Sequence, residues 1–479
     1  MGIIARKYTT IPYVHPQTYR VRQYTNYGVG YFLQAIYNNE VLKRVIECET
    51  LHESVQVFNR EVLYYADIYL PIKTKVLKNR AKPYITDETK TTIDLKAQAW
   101  TTYKSSKSSQ DLAFYKSLSK QVQTKVAGDR IKWMGGGLQA SNSSNEAWSK
   151  AKTLLGQTTC TSPKAILVND VLETNPEKLA HAFATFHKTK ITDLRARAAE
   201  DYKINPIVRL QTWLKKRQHP LPTFNLQPIG IVKLRKLIAR LKPGMSLPSD
   251  NLDGKLLKLV APILEEALLH IINLSITTGT FDSLWKEQMI GPHHKKNDRS
   301  LMKNYRPVSI VIQLGKLTEM EVSDQVIEHY IENKLFHKAH NGSLPNLDTN
   351  TALVQVYNHM VKAADNKKLA GTVLLDQSSA YDLVDHHLLL EKLDCYNFSP
   401  LALSWFQTYL QERTFRYQIE SKRSEPHPVG PHGIPQGSVL GSFLYIIQNY
   451  PTDTPSDSDT GQTPLFVGDE TEKESKENP

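Results

Sequence analysis

Two glycines and a proline fall within five residues at the start of GIPQGSVLG (433–441), and that combination leaves the backbone few conformations. The segment reads as a tight, preorganised loop that carries Gln436 and a run of backbone N–H groups into a helix. Such a turn suits close approach of a nucleotide or base pair, although an ordinary Gly-Pro turn fits the same letters. Upstream, the strand-like GTVLLD (371–376) ends in Asp376 and passes through QSSAYDLVDH into a helix. This puts a carboxylate at the C-terminal end of a strand with an aromatic, Tyr381, five residues on. Taken alone, a helix-capping Asp followed by a core Tyr is the commoner source of that pattern.

The chain has 479 residues, 40% apolar and 23% charged, enough for roughly two to four folded domains. Its formal net charge of +12 favours a polyanionic partner, because Lys and Arg clusters gain affinity by releasing counterions from phosphates. A basic surface that only aids solubility is the alternative. Cys48, Cys160 and Cys395 lie far apart, without disulfide or zinc spacing, and read as reduced intracellular thiols, placing the chain in cytoplasm or nucleus. The most apolar run, 256–274, is interrupted by Lys258, Pro262, Glu265, Glu266 and His270, so no membrane span is expected. The start, MGIIARKYTT, lacks an apolar signal core.

Residues 1–220 are basic and mostly helical in pattern, broken by SSKSSQ (105–110) and GGGLQASNSSN (135–145), which read as flexible connections. Between them Leu112, Tyr115, Leu118, Val122 and Val126 recur at helical spacing beside Lys116, Lys120 and Lys125, as a solvated amphipathic helix or a nucleic-acid-facing arm. After PLPTFNLQP, a helix is predicted along Ile231, Leu234, Leu237, Ile238 and Leu241. A helix pair follows, the first carrying Leu256, Leu257 and Val260 and the second starting near Pro262. Beyond 350 the pattern alternates: a helix over 352–364, the strand GTVLLD, a helix around HHLLLEKL and a strand FRYQIE (415–420). The fold class is α+β.

LLDQSSAYDLVDHHLLLEKL, WFQTYLQER and GIPQGSVLG, in that order and spacing, resemble the palm signature of non-LTR (LINE-type) retrotransposon reverse transcriptases. NYRPVSI (304–310) and the preceding FDSLWKEQMIGPHHKKNDRS look like the fingers of that family, and KPYITDETK resembles its linker after the endonuclease. The resemblance implies a right-hand polymerase: a basic, mostly helical linker region over 1–220, fingers over 221–350, a partial palm over 351–472 and a disordered tail over 473–479. It implies RNA-directed DNA polymerisation, with an RNA template, a DNA primer and a dNTP, through two Mg²⁺ (or Mn²⁺) ions held by palm carboxylates. Asp376 matches the first metal ligand and Asp469 another. Tyr381 matches the aromatic against the incoming sugar, Gln436 and Gly437 the loop beneath the nucleotide, and Lys295, Lys296 and Arg306 the clamp on the triphosphate.

Departures from the family carry weight of their own. In LFVGDET (465–471) Gly468 stands where the family has the first of two aspartates, and Glu470, two positions on, would take its place only with a shift of register. HNGSLPNLDTNTAL (340–353) has Ser343 and Leu344 where the family's fingers carry an aromatic and a basic residue. The tail ETEKESKENP does not read as a palm strand, so the resemblance leads one to expect a chain truncated at both ends, without endonuclease or thumb. Two functions follow as expectations: an impaired polymerase, or a non-catalytic nucleic-acid-binding remnant. His386-His387 and His293-His294 are adjacent pairs, which diverge by about 100° on a helix and about 180° on a strand and suit one metal poorly.

Overall fold

The computed structural model describes residues 18–76, 84–139, 162–198, 206–217, 220–242, 244, 247–295, 297–336, 340–342, 344, 347–373, 377 and 379–449. They pack as two units: Thr18–Lys75 together with the chain from Pro163 onward, and Val76–Ser162.

In the first unit, β1 (Thr18–Arg22) leads into α1 (Asn26–Asn38), α2 (Val41–Ile46) and α3 (Leu51–Tyr69), and β2 (Ile72–Val76) returns to pair with β1. Thr25 and Thr50 cap α1 and α3 by accepting from Gly28 N and Glu53 N. Phe32, Ile36, Val45, Val55 and Phe58 from these helices enter the same core as the later chain, so packing draws no boundary at 220.

The second unit is a helical hairpin of α4 (Asp87–Ser106) and α5 (Ser109–Gln139). Trp100 packs on Tyr115 at 4.8 Å, and Lys125 reaches Glu88 at 2.6 Å. The predicted helical pattern at 112–126 lies on α5. One expectation is corrected: α5 continues through Gly135–Gly137 to Gln139. Each glycine costs about 1 kcal/mol against Ala, but a helix already nucleated adds a hydrogen bond per residue as it extends.

From Pro163, β3 (Ile166–Val168) and β4 (Val171–Glu173) form a hairpin whose turn residues, Asn169 and Asp170, both have positive φ (49° and 62°). That is the geometry whose twist matches the strands. The helices α6 (Pro176–Ala198), α7 (Pro206–Lys215) and α8 (Ile231–Arg240) follow, the last as predicted, with Leu234 and Leu237 fully buried. α9 (Gly254–Thr278) holds the predicted pair as two helical segments that meet at a kink at Leu264 (φ −111°, ψ 22°), because Pro262 removes a hydrogen bond and crowds the preceding turn. It is apolar and long enough to span a bilayer, yet it buries Leu256, Leu257, Val260, Leu268 and Ile272 in the core of the unit.

The sheet runs β6–β5–β7–β8, with β9 also pairing β7: β5 (Glu287–His294), β6 (Tyr305–Ile310), β7 (Thr414–Ile419), β8 (Lys422–Arg423) and β9 (His427–Pro428). β5 is antiparallel to β6 and parallel to β7. Its register puts Ile290, Tyr305, Phe415, Tyr417 and Ile419 on one face, covered by Leu179, Ala180, Phe183 and Ala184 of α6. α10 (Gln313–Glu332), α11 (Thr349–Asp365), α12 (His386–Cys395), α13 (Pro400–Leu410) and α14 (Gly441–Asn449) complete the order. The mixture of helix and sheet is the α+β class expected. Of the predicted strand over 371–376, the described residues Gly371–Val373 form no ladder, and Val373 is 83% exposed. An apolar run becomes a strand only where neighbours take its backbone groups, and no described strand lies beside it.

Candidate functional site

The loop before α14 lies along the open edge of β6. Ser309 N donates to Gln436 O at 2.9 Å, which uses a backbone group that an edge strand otherwise leaves to solvent. Pro307, two residues earlier on β6, has no N–H to offer there. Gly437 (φ +121°) sits so close that a Cβ would lie 2.8 Å from Ser309 O, and Gly433 (φ +95°) would place one 3.2 Å from Asp382 O. Both positions therefore need glycine for conformation and for space.

On the inner side Ile434 N donates to Tyr381 O (2.9 Å) and Gly433 N to Val384 O (2.7 Å), so the loop is tied to the turn Ala380–Leu383. The Tyr381 hydroxyl and Ser442 Oγ are 2.8 Å apart, and the ring edge would lie 3.2 Å from a Cβ on Gly441. His386, at the start of α12, approaches Gly433 O with Nε2 at 2.8 Å. Burial lowers its pKa to about 4, so the neutral ring carries its proton on Nε2 and donates. Val439 N donates to Glu319 Oε2 of α10 at 2.9 Å. Asp385 caps α12 by accepting from Leu388 N.

A cavity of about 40 Å³, room for a water or two, opens below the loop between α6 and the sheet, lined by His187, Arg195, Gln288, Ser309, Asp382 and Gln436, among others. Arg195 Nη2 donates to His432 O (2.9 Å) and Asp382 O (3.4 Å), joining α6 to both segments of the site. His187 Nδ1 lies 3.0 Å from the Tyr417 hydroxyl, and burial lowers the pKa of His187 too, to about 4.

Of the residues singled out from the sequence, Tyr381, Gln436 and Gly437 come together here, joined by Ser309 and Ser442, which sequence reasoning passed over. Lys295 and Arg306 belong to the β5–β6 hairpin, where Lys295 N donates to Asn304 O and Arg306 pairs with His293. Arg306 precedes Ser309 by three residues, about 10 Å along a strand, and alternation turns it to the opposite sheet face. Asp376, Lys296, Gly468 and Asp469 lie outside the described residues, as does Ser343. Ser309, Glu319 and Arg195 had no local signal, since each meets the loop from more than a hundred residues away.

Residues 293–459, which hold the loop, Tyr381, Ser309 and Glu319, match the family Reverse transcriptase (RNA-dependent DNA polymerase). Over those residues the chain is similar to proteins with a reverse-transcriptase domain. The chain is similar to the RNA-directed DNA polymerase from mobile element jockey of Drosophila melanogaster, with 30% identity over 233 residues, 48% of this chain and 25% of that protein. It is similar also to the probable RNA-directed DNA polymerase from transposon BS of the same organism, with 29% identity over 280 residues, 58% of this chain and 30% of that protein. A third relative is the transposon TX1 uncharacterized 149 kDa protein of Xenopus laevis, 28% identical over 155 residues, 32% of this chain and 12% of that protein. The match to each of the first two spans under a third of the relative's length. The resemblance to non-LTR retrotransposon reverse transcriptases carried by the motifs stands, over about half of the chain.

Proposed function

We propose that residues 221–350 act as fingers and 351–472 as palm residues of a right-hand polymerase that copies RNA into DNA, impaired at its metal centre. The observation that carries the reading is the docking of Gln436 and Gly437 on the β6 edge beside Tyr381. Such a loop, held by backbone contacts on both sides, is a rigid floor for a nucleotide, and preorganised groups cost no reorganisation during reaction. Tyr381 would pack against the incoming sugar. Lys295, Lys296 and Arg306 would supply positive charge to a triphosphate.

Asp376 and Asp469 offer the carboxylate oxygens that Mg²⁺ or Mn²⁺ takes, while Gly468 offers no side-chain ligand. Bound there, the metal would lower the pKa of the primer 3′-hydroxyl and stabilise the leaving pyrophosphate. A site in the cytoplasm or nucleus goes with this reading and with Cys48 and Cys395 as thiols. The second reading is a nucleic-acid-binding protein without catalysis, favoured by Gly468 and the charge of +12.

The test is primer extension on a poly(A) RNA template with Mg²⁺ or Mn²⁺, for the native chain and Gly468→Asp, with template binding recorded in the same samples. Extension by the native chain supports the first reading. Binding without extension, not restored by Gly468→Asp, supports the second, and absence of both removes both.

A further inference from the structure

Glu319 sits on α10 in LTEMEV and is only 2% exposed. Its carboxylate accepts from Val439 N at 2.9 Å, and the Leu440 N–H points at the same group. These two residues join the Gln436–Gly437 turn to α14. A buried carboxylate is costly unless it is hydrogen-bonded or near positive charge; both are present, and burial still raises the pKa of Glu319 above the usual carboxylate range. Arg413, itself buried, supplies the charge while its Nε donates to Tyr409 O. The far end of α14 is held the opposite way: the buried Lys392 ammonium donates to the carbonyls of Ile447 and Gln448. A carboxyl oxygen that accepts at the N-terminus and an ammonium that donates at the C-terminus meet the unpaired backbone groups of the two helix ends, so α14 is fixed along its axis from both.

We propose that Glu319 is a positioning residue for the Gln436–Gly437 loop, setting its height against β6 and Tyr381 by gripping the amides of Val439 and Leu440. On the polymerase reading, on which the nucleotide part of this inference rests, Glu319 determines how tightly the incoming nucleotide is held. It need not touch the nucleotide to do so. The loop has three fixed points: Ser309 outside, Tyr381 and His386 inside, and Glu319 at the exit to the helix. Glu319 is the one among them that grips through a carboxyl side chain.

The experiment measures amide hydrogen exchange over 433–441 and dNTP kinetics in the full chain for wild type, Glu319→Gln and Glu319→Asp. Glu319→Gln keeps the volume but replaces one acceptor oxygen with an NH₂ that opposes an amide. At least tenfold faster exchange at Val439 and Leu440 is expected, with exchange elsewhere in the unit unchanged. A KM for dNTP raised at least fivefold with a smaller change in kcat, partly recovered by Glu319→Asp, is the kinetic counterpart. Unchanged exchange at the two amides overturns the inference, as does faster exchange with KM unaltered in an active enzyme. If Glu319→Gln does not fold, the wild-type amides decide: carboxylate-bound Val439 and Leu440 protons resonate downfield of their neighbours, and ordinary shifts overturn the grip. A wild-type chain that neither extends primer nor binds dNTP removes the polymerase reading, and the nucleotide role of Glu319 with it. Loss of protection confined to the variant separates that failure from failure of the grip itself.

Discussion

Gly437→Ala tests the docking of the loop on β6 directly. A φ of +121° belongs to a region that residues with a Cβ rarely occupy, and holding one there costs about 1–3 kcal/mol. The new methyl would also stand 2.8 Å from Ser309 O, a backbone atom that moves only if β6, paired with β5 along its other side, moves with it. The loop must lift, and the Ser309–Gln436 hydrogen bond goes with it, about 1 kcal/mol more. The expected loss is roughly 2–4 kcal/mol. Gly430→Ala is the control, since Gly430 also has positive φ (+80°) but its Cβ would meet only the tip of Arg195 at 3.8 Å. Strain alone should cost about 1 kcal/mol there. Gly433→Ala, 3.2 Å from Asp382 O, falls between. Urea unfolding followed by tryptophan fluorescence gives the three values, and the order should be 437, 433, 430. A Gly430→Ala loss equal to that of Gly437→Ala would mean that the contact with Ser309 contributes nothing and that the edge-docking argument fails.

Three further outcomes are expected. His386 and His187 both have folded-state pKa values lowered to about 4 from 6.5, so below pH 6.5 the unfolded chain binds protons that the folded one refuses. Stability should be full above pH 6.5 and fall towards pH 4, by roughly 3 kcal/mol per histidine, and His386→Gln should flatten that slope in pH-dependent urea titrations; an unchanged slope refutes the assignment. If the chain extends primers, Asp376→Ala should abolish extension, because a metal ligand acts as part of a unit; unchanged extension rules Asp376 out as a ligand. Charge removal at Lys295 and Arg306 should weaken template or nucleotide binding more at low salt than at high salt in a fluorescence titration, and a salt-independent loss would point to misfolding instead.

Much of the local structure was legible because its causes are local. The 231–241 stripe became α8, the 352–364 pattern became α11 with Asp348 and Thr351 forming a capping box, and FRYQIE became β7. Pro262 was read as the start of a second helix, and two helical segments do meet there, at a kink at Leu264. Whether Pro ends a helix or bends it depends on whether the next turn has a partner to pack on. The GTVLLD expectation failed over 371–373 for a related reason, since a strand exists only in the company of another strand.

The site divides along the same line. The sequence alone determined that 433–441 is a glycine-dependent loop leading into a helix, that Tyr381 follows a carboxylate, and that the chain is basic, because steric limits and formal charge belong to residues one at a time. Only the tertiary structure decided that this loop lies on the edge of β6 at Ser309, that Arg195 reaches it from α6, and that Glu319 faces inward to hold its amides. These contacts join residues 120 or more positions apart, where nothing in the intervening sequence records the meeting. A glutamate on a helix looks the same in sequence whether it faces water or a buried N–H. Packing alone tells the two apart.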